Sequence, residues 1–394
     1  MVQYSQRLSR VKGSVIREIF KMMADPQIIS LGGGSPAAEG YPLQEVREIS
    51  DRLLRDHGVA MLDYGLTSGY LPLREAYLEH LVLPKGVEAQ VENTIIMTGS
   101  GQGIYLIFDV FLDPGDTVLI ESPTFLNTIN VLRKMDVNII GVEMDEDGII
   151  IEDLEEKIKR HHPKLLYTIP TFQNPTGRTI SRPRREQIAE LAERYDMVVL
   201  EDDPYGDVRF RGEALPPIKS FDTSGNVIML NSFSKTIAPG LRVGAVTAKK
   251  EWVQKLELVK QGADTHTATL PQAICAEFLR QGLLPAHLQK VAAIYEERFS
   301  AMERGIQQHF PASCEYTHPE GGLFVWARIP GSDTIELNKR AVSEYKVAFV
   351  PGQPFFINEN EGADCLRLNY SSSNVEKITT ACQRLGELFS RSSN

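Results

Sequence analysis

The sequence contains few cysteines, and their spacing fits neither a disulfide framework nor a zinc ribbon. Four cysteines occur among 394 residues, and none belongs to a C-x-x-C pair: Cys275, Cys314, Cys365 and Cys382. Disulfide-dependent secreted domains and zinc ribbons need more closely spaced cysteines than these. The histidines form no H-E-x-x-H motif either. We therefore expect reduced thiols and no metal site.

Long apolar runs and an excess of basic residues are missing as well. No run is long enough to span a bilayer, and the first residues lack the apolar segment of a signal peptide. Asp and Glu number 52 against 42 for Lys and Arg, so the formal net charge is −10. This charge disfavours a nucleic-acid or anionic-membrane surface, and we expect the basic cluster Arg182, Arg184 and Arg185 to decorate an exposed helix start. The sequence predicts a cytoplasmic protein that binds neither nucleic acid nor membrane.

Seven apolar, β-rich runs alternate with helical patterns between about residues 90 and 250. The runs read NTIIMTG, TVLIESP, VNIIGVEM, LLYTIP, MVVLEDD, NVIMLNS and RVGAVTA. Strands that alternate with helices are typical of an α/β fold with a mainly parallel, doubly wound sheet. We therefore predict a seven-stranded, mainly parallel sheet.

The pattern changes after about residue 285, where a long helix precedes isolated strands in GGLFVWARI and CLRLNYS. Strands set apart among helices predict a smaller α+β domain. We predict a large domain over residues 46–285 and a small C-terminal domain over 286–394. The N-terminal segment, residues 1–45, should pack with the small domain or across the cleft.

Polar residues follow four of the predicted strands, at the sheet edge where α/β proteins bind ligands. The TGSGQG turn leads into a helix whose first N–H groups, from Ser100, Gly101 and Gln102, suit an anion. The other strand ends supply Asn174 in QNPTG, Asp202 and Tyr205 in DDPY, and Ser232, Ser234, Lys235 and Arg242 in NSFSKTIAPGLR. Taken singly, each group is common in structural turns or on solvated surfaces. Because amine, carboxylate, amide and anion cradle share one edge, we interpret them as one site.

Lys235 is the reactive candidate in this set. Its neighbours in sequence are an arginine, two serine hydroxyls and several backbone amides. Nearby positive potential disfavours an ammonium ion, so we expect the pKa of Lys235 to be lowered. A neutral amine at this position can form a Schiff base.

Several motifs together resemble the fold-type I pyridoxal-phosphate-dependent aminotransferases of class I/II. The similar stretches are SFSKTIAPGLRVG, QNPTG, DDPY, LDYGLTSGYLPLREA, PEGGLFVW and LRLNYS, and they run along most of the chain. The lead segment SVIREIFKMMADPQIISLGGGSP is similar to that of the branch with α-aminoadipate and kynurenine aminotransferases. The resemblance implies a homodimer with shared active sites. The resemblance further implies an enzyme that moves the amino group of an L-amino acid (2-aminoadipate, aromatic or branched-chain) to a 2-oxo acid in a ping-pong cycle. The expected acceptor is 2-oxoglutarate.

The resemblance also implies roles around the ring of pyridoxal 5′-phosphate. Lys235 would form the Schiff base and act as general base and acid, and Asp202 would pair with the pyridine nitrogen. Tyr205 and Asn174 would hydrogen-bond the 3′ oxygen of the ring, and Phe125 would lie on one ring face.

The phosphate and the substrate would be held by further residues. The expected phosphate ligands are the backbone of Ser100, Gly101 and Gln102, the side chains of Ser232, Ser234 and Arg242, and Tyr64 from the neighbouring subunit. Relatives often have Ser-Gln-Gln at 100–102, so a side-chain contact at 101 is lost here. Arg367 would bind the substrate α-carboxylate with Asn174 and the backbone at Gly34. Arg17 is the candidate ligand for a distal carboxylate.

Three other functions compete with this one. A lyase that uses the same cofactor for β-elimination or decarboxylation would share every cofactor residue. A dehydrogenase would use GSGQG with Glu121 as the acid of a dinucleotide fingerprint, but Ile104 stands where the third glycine belongs. A transcription regulator with an aminotransferase-like domain would need a DNA-binding domain ahead of SLGGGSP, where only about 30 residues stand.

Overall fold

The computed structural model describes residues 4–5, 8, 10, 25, 27–358 and 360–392. The helices, apart from short single turns, are α1 (Leu43–Leu62), α2 (Leu71–Tyr77), α3 (Ser100–Phe111), α4 (Leu126–Met135), α5 (Ile151–His161), α6 (Arg182–Arg194), α7 (Lys250–Asp264), α8 (Thr269–Arg280), α9 (Leu283–His309), α10 (Thr334–Tyr345) and α11 (Val375–Ser392). The strands are β1 (Ile29–Ser30), β2 (Thr94–Met97), β3 (Thr117–Glu121), β4 (Asn138–Val142), β5 (Met144–Asp145), β6 (Gly148–Ile149), β7 (Leu165–Thr168), β8 (Val198–Asp203), β9 (Val227–Ser232), β10 (Gly244–Thr247), β11 (Glu315–Tyr316), β12 (Phe324–Arg328), β13 (Val347–Ala348), β14 (Val350–Pro351) and β15 (Cys365–Asn369).

Seven strands form the larger sheet, in the order β2-β10-β9-β8-β7-β3-β4. The neighbours from β9 to β4 run parallel, and β10 runs antiparallel to both β2 and β9. These are the seven runs predicted from the sequence, so the prediction of a mainly parallel α/β sheet is confirmed. Because β2 and the parallel strands point the same way, their carboxyl ends lie at one edge of the sheet.

Side chains of the sheet strands alternate between two apolar layers, one on each face. On β2, for example, Ile95 and Met97 belong to one buried cluster and Ile96 to the other. Helix α3 lies against β9, and its Gly103 leaves room for this contact, since a Cβ there would meet Leu230 Cδ1 at 2.6 Å. The close packing seats the first turn of α3 at the carboxyl edge.

A smaller antiparallel sheet of four strands, in the order β11-β12-β15-β14, lies in the C-terminal part of the chain. The N-terminal strand β1 pairs in parallel with β13, through Ile29 to Val347 and Ser30 to Ala348. This pairing ties the segment after Ser30 to the C-terminal elements. The division into domains at residues 45 and 285 stays a prediction.

Helix α6 corrects one expectation, because its Arg185 is not on the surface. Only 1% of Arg185 is exposed, whereas Arg182 is exposed and pairs with Glu186. The Arg185 guanidinium donates to Ile180 O (2.8 Å), Pro216 O (3.1 Å), Pro170 O (2.8 Å) and Thr171 Oγ1 (2.8 Å). One side chain therefore satisfies two carbonyls and one hydroxyl of the loop after β7, which a local charge pattern does not reveal.

No helix in the described part of the chain is long and apolar enough to cross a membrane. Within those same ranges, no group of three or more His, Cys, Asp or Glu is placed to hold a metal ion. The cysteines Cys275, Cys314, Cys365 and Cys382 are free thiols.

We predict that Arg185→Met lowers the free energy of unfolding by about 3 kcal/mol, because several buried acceptors lose a charged donor. The matched change Arg182→Met removes an exposed ion pair with Glu186 and a contact of the guanidinium with the Phe221 ring, and it should cost about 1 kcal/mol or less. Urea denaturation of both variants without cofactor checks the difference. Equal losses in the two variants would contradict the buried role of Arg185.

Candidate active site

Lys235 lies in the turn that follows β9, and its Nζ donates to the Gly34 carbonyl at 2.6 Å. Burial, with smaller contributions from the charges of Arg367 and Arg242, lowers the pKa of Lys235 to about 8. The sequence predicted this direction from positive neighbours, but loss of hydration is the larger cause. The neutral fraction of the Lys235 amine at pH 7 is therefore larger than that of an ordinary lysine.

Asp202 lies near the end of β8 and is buried with one oxygen unpaired. Its Oδ2 accepts a hydrogen bond from the Tyr167 hydroxyl at 2.8 Å, whereas Oδ1 has no hydrogen-bond partner among the described residues. Burial raises the pKa of Asp202 to about 7. A protonated pyridine nitrogen beside Oδ1 would supply the missing donor and favour the ionised form of Asp202. Tyr167, which no motif indicated, lies within the buried strand β7.

Arg367 lies on β15 of the smaller sheet and reaches the same edge. It donates through Nη1 to Asn174 Oδ1 at 2.8 Å and through Nη2 to Gly32 O at 2.8 Å, while its Nε is buried without a partner in the described ranges. The guanidinium lies over the rings of Phe324 and Phe355, 4.2 and 5.1 Å from their centroids. Burial lowers its pKa to about 10. A buried arginine with a free N–H suits a carboxylate.

Tyr205 and Asn174 meet beside Arg367. Burial raises the pKa of Tyr205, and the nearby charge of Arg367 and the Asn174 side chain oppose this shift. The Tyr205 ring packs edge-on against Phe324, with centroids 6.0 Å apart and planes at 82°. The structure thus brings these three residues together, with Arg367 hydrogen-bonded to Asn174 and both Arg367 and Tyr205 packed against Phe324.

Glu121 and Gln173 support the Asn174 loop, and sequence reasoning did not assign them this place. Glu121 accepts hydrogen bonds from Thr168 Oγ1 (2.5 Å), Ile169 N (3.1 Å) and Gln173 Nε2 (3.0 Å). Gln173 Oε1 in turn accepts from Thr176 N at 2.9 Å and Oγ1 at 2.7 Å. Burial raises the pKa of Glu121 to about 7. Because Glu121 is only 1% exposed and both oxygens are used internally, it does not offer the ribose contact of a dinucleotide site.

The anion cradle forms where β2 turns into α3. Gly99 has φ 76°, and a Cβ there would collide with the Arg242 guanidinium, so only glycine lets this arginine approach the turn. The N–H groups of Ser100 and Gly101 belong to the first turn of α3, where helices lack internal acceptors. Ser232 Oγ accepts from Ser234 N at 3.2 Å on the neighbouring β9 turn.

Gln102 is used differently from the prediction that its N–H binds an anion. Its N–H donates to the Gly99 carbonyl at 3.2 Å. Its side chain accepts from Thr98 N at 2.8 Å and donates to Asp264 at 2.6 Å. Nothing in the local sequence indicates this second use, because the partner Asp264 lies at the end of α7.

The structure places two of the remaining predicted residues, Tyr64 and Phe125, and does not describe the third, Arg17. Tyr64 is 86% exposed and contacts the edge of His266, with ring centroids 5.7 Å apart at 78°. Phe125 is half-buried just ahead of α4 and packs against the main core. Arg17 is not among the described residues.

Comparisons with known proteins agree with this geometry. The chain matches the family model described as aminotransferase class I and II over residues 26–385. It is 37% identical over 390 residues to aromatic-amino-acid aminotransferase 1 of Thermococcus litoralis, covering 98% of this chain and 93% of that one.

Two crystal structures share the fold over nearly the whole chain. The kynurenine aminotransferase of Pyrococcus horikoshii, in complex with PMP, KYN as substrates and KYA as products, has a TM-score of 0.95 at 34% identity, covering 99% of this chain and 98% of that one. An α-aminoadipate aminotransferase of Thermus thermophilus, complexed with N-(5′-phosphopyridoxyl)-L-leucine, has a TM-score of 0.91 at 37% identity, covering 98% and 97%.

The fold and the buried groups at its edge define a pyridoxal-phosphate-dependent enzyme of fold type I. The chain belongs to the aminotransferase class I and II family. It is an aminotransferase with pyridoxal phosphate as its cofactor, and the dehydrogenase alternative is wrong. The residues present fit this cofactor, since Asp202 Oδ1 lacks a donor and the Gly99 turn meets Arg242.

We predict that Lys235 reacts with acetic anhydride in the cofactor-free protein with a midpoint near pH 8, because burial lowers the pKa of its amine to about 8. Lys159 is the control, since a hydrogen bond with Glu155 raises its pKa. Labelling across a pH series, read by peptide mass spectrometry, measures both. A Lys235 midpoint equal to that of Lys159 would contradict the buried amine.

Proposed function

We propose that Lys235, Asp202 and Arg367 carry out the amino transfer, with an L-amino acid as donor and 2-oxoglutarate as acceptor. The observation that carries this proposal is unused hydrogen-bonding capacity in a buried place. Asp202 Oδ1 and Arg367 Nε have no partner in the described part of the chain. Buried polar groups are normally satisfied, so a cofactor nitrogen and a substrate carboxylate are the expected partners.

Lys235 moves the proton in this proposal. Its lowered pKa leaves enough neutral amine to take a proton from the substrate Cα and to return it later. Bound pyridoxal phosphate supplies a ring that withdraws electrons from that carbon. Asp202 would hold a proton on the pyridine nitrogen of the bound cofactor, and the hydrogen bond from Tyr167 fixes the orientation of the carboxylate.

Arg367 orients the substrate. Its guanidinium binds the α-carboxylate, while Phe324 and Phe355 hold its plane and Asn174 holds one end. Asn174 and Tyr205 would also hydrogen-bond the 3′ oxygen of the bound ring. A Lys at position 367 would keep the charge but lose the fork geometry.

The donor we propose has a large side chain, of aromatic, 2-aminoadipate or branched-chain type. The support is that similar proteins are named for aromatic amino acids, kynurenine and α-aminoadipate. A distal carboxylate would need a cation, for which Arg17 is our candidate.

The active unit we propose is a homodimer. The end of α1 and the loop after it expose a run of apolar side chains: Val59 (84%), Leu62 (77%), Tyr64 (86%) and Leu66 (66%). Exposed apolar patches of this kind mark interaction surfaces. A second copy placed there would cover the patch and bring the partner's Tyr64 to the phosphate.

We predict that the purified holoenzyme converts one of these donors and 2-oxoglutarate into equal amounts of oxo acid and glutamate. Amino-acid analysis of a donor panel measures both products. Arg367→Lys should lower kcat/KM by about 100-fold, because the bidentate contact with the α-carboxylate is lost. Oxo acid accompanied by ammonia, without glutamate, would instead support the lyase alternative.

We predict that inactive Lys235→Ala subunits and impaired Tyr64→Ala subunits regain activity when mixed. In a mixed dimer, one site would combine an intact Lys235 with Tyr64 from the other subunit. Activity is measured at limiting cofactor after refolding the two variants together, with each variant refolded alone as the control. No recovery in a mixture shown to contain hybrid dimers would contradict a shared site.

A further inference from the structure

Lys260, on α7, is a buried cation that the proposed mechanism does not use. The whole residue is 0% exposed. Its Nζ donates to Asp264 Oδ1 (2.7 Å), Gln102 Oε1 (3.1 Å) and Thr267 Oγ1 (3.2 Å). An ammonium group has three donors, so all of them are used. A buried charge is retained only where such partners exist. Among these partners, Gln102 belongs to the first turn of α3, directly after the Gly99 turn.

The same network fixes both ends of that turn. Asp264 Oδ2 accepts from Thr98 Oγ1 at 2.7 Å and from Gln102 Nε2 at 2.6 Å, and Gln102 Oε1 accepts from Thr98 N at 2.8 Å. The Gln102 amide is thus held at both its oxygen and its nitrogen. Ser100 and Gly101 lie between these two anchored residues, so their N–H groups are fixed with them.

On its other side the network reaches the Tyr64 segment. Thr267 Oγ1 lies 3.0 Å from Thr98 Oγ1, and Thr267 O contacts His266 Nδ1 at 2.8 Å. His266 Nε2 accepts from Gly65 N at 3.2 Å, and its ring meets Tyr64. One continuous set of hydrogen bonds therefore joins the anion turn to the segment that carries Tyr64.

The backbone between Asp264 and His266 is in a conformation that needs such support. Thr265 has φ 64° and ψ −59°, and His266 N donates to Asp264 O at 2.7 Å. This is a γ-turn of the strained kind, which β-branched residues rarely adopt. It persists where the surroundings hold both flanks, as Lys260 does through Asp264 and Thr267.

We propose that Lys260, Asp264 and Gln102 are positioning residues for the phosphate group of the cofactor. They act by holding the N–H groups of Ser100 and Gly101 in place, and they do not touch the phosphate themselves. The proposal rests on the assignment of this turn to the phosphate made above.

The test compares the binding of pyridoxal phosphate with that of pyridoxal, which lacks the phosphate, to cofactor-free protein. The variants are Lys260→Met and Gln102→Met, the second of which leaves the buried ion pair intact. The control is Lys255→Met, an exposed lysine on the same helix. Dissociation constants are read from visible absorption during titration, and thermal unfolding of each variant reports on its folding.

We expect both variants to bind pyridoxal phosphate about 10- to 100-fold more weakly than the wild type does. Loss of an outer hydrogen-bond partner at metal sites lowers affinity by the same range. The affinity of both variants for pyridoxal and all affinities of Lys255→Met should stay at the wild-type level. The proposal is overturned if both variants lose affinity for pyridoxal phosphate and pyridoxal by the same factor, or if the ratio of the two dissociation constants stays at the wild-type value in both variants. A wild-type protein that binds the two ligands equally overturns instead the assignment of the phosphate to this turn.

Discussion

Charge buried at one edge of the sheet is the constraint on which the rest of this structure depends. Burial lowers the pKa of Lys235 and Arg367 and raises that of Asp202, so it favours the neutral form of each group. A fold tolerates such groups only when it surrounds them with partners, and here each has some partners and an incomplete set. The sheet, the 32–34 segment and the smaller sheet are all needed to supply those partners, so the chemistry depends on how these elements meet.

Much of the fold could be predicted because buried parallel strands are apolar on both faces and end in polar residues. The seven runs of the larger sheet show this pattern clearly. The reversed direction of β10 could not be predicted, because RVGAVTA has the same pattern in either direction. Strands β11 and β14 are two residues long, too short to carry a period, and they exist only because longer neighbours pair with them.

The candidate site could be predicted where a residue stands at a strand end beside a recognisable motif, as Lys235 and Asp202 do. The sequence could not predict the burial of three charged residues, Arg185, Glu121 and Lys260. A charged residue is expected at the surface unless its long-range partners are known. Gln102 shows the same limit in another form. Its position in a glycine-rich turn indicated a backbone contact, while the use of its side chain depends on α7, more than 150 residues away.

The contacts of the Gly32 and Gly34 carbonyls, which precede α1, determine when the site can form during synthesis of the chain. Gly34 meets Lys235 across 201 positions, and Gly32 meets Arg367 across 335. A nascent polypeptide therefore cannot assemble the pocket until nearly all of it has left the ribosome. Chains that end before β15 lack Arg367 and therefore cannot form the complete site.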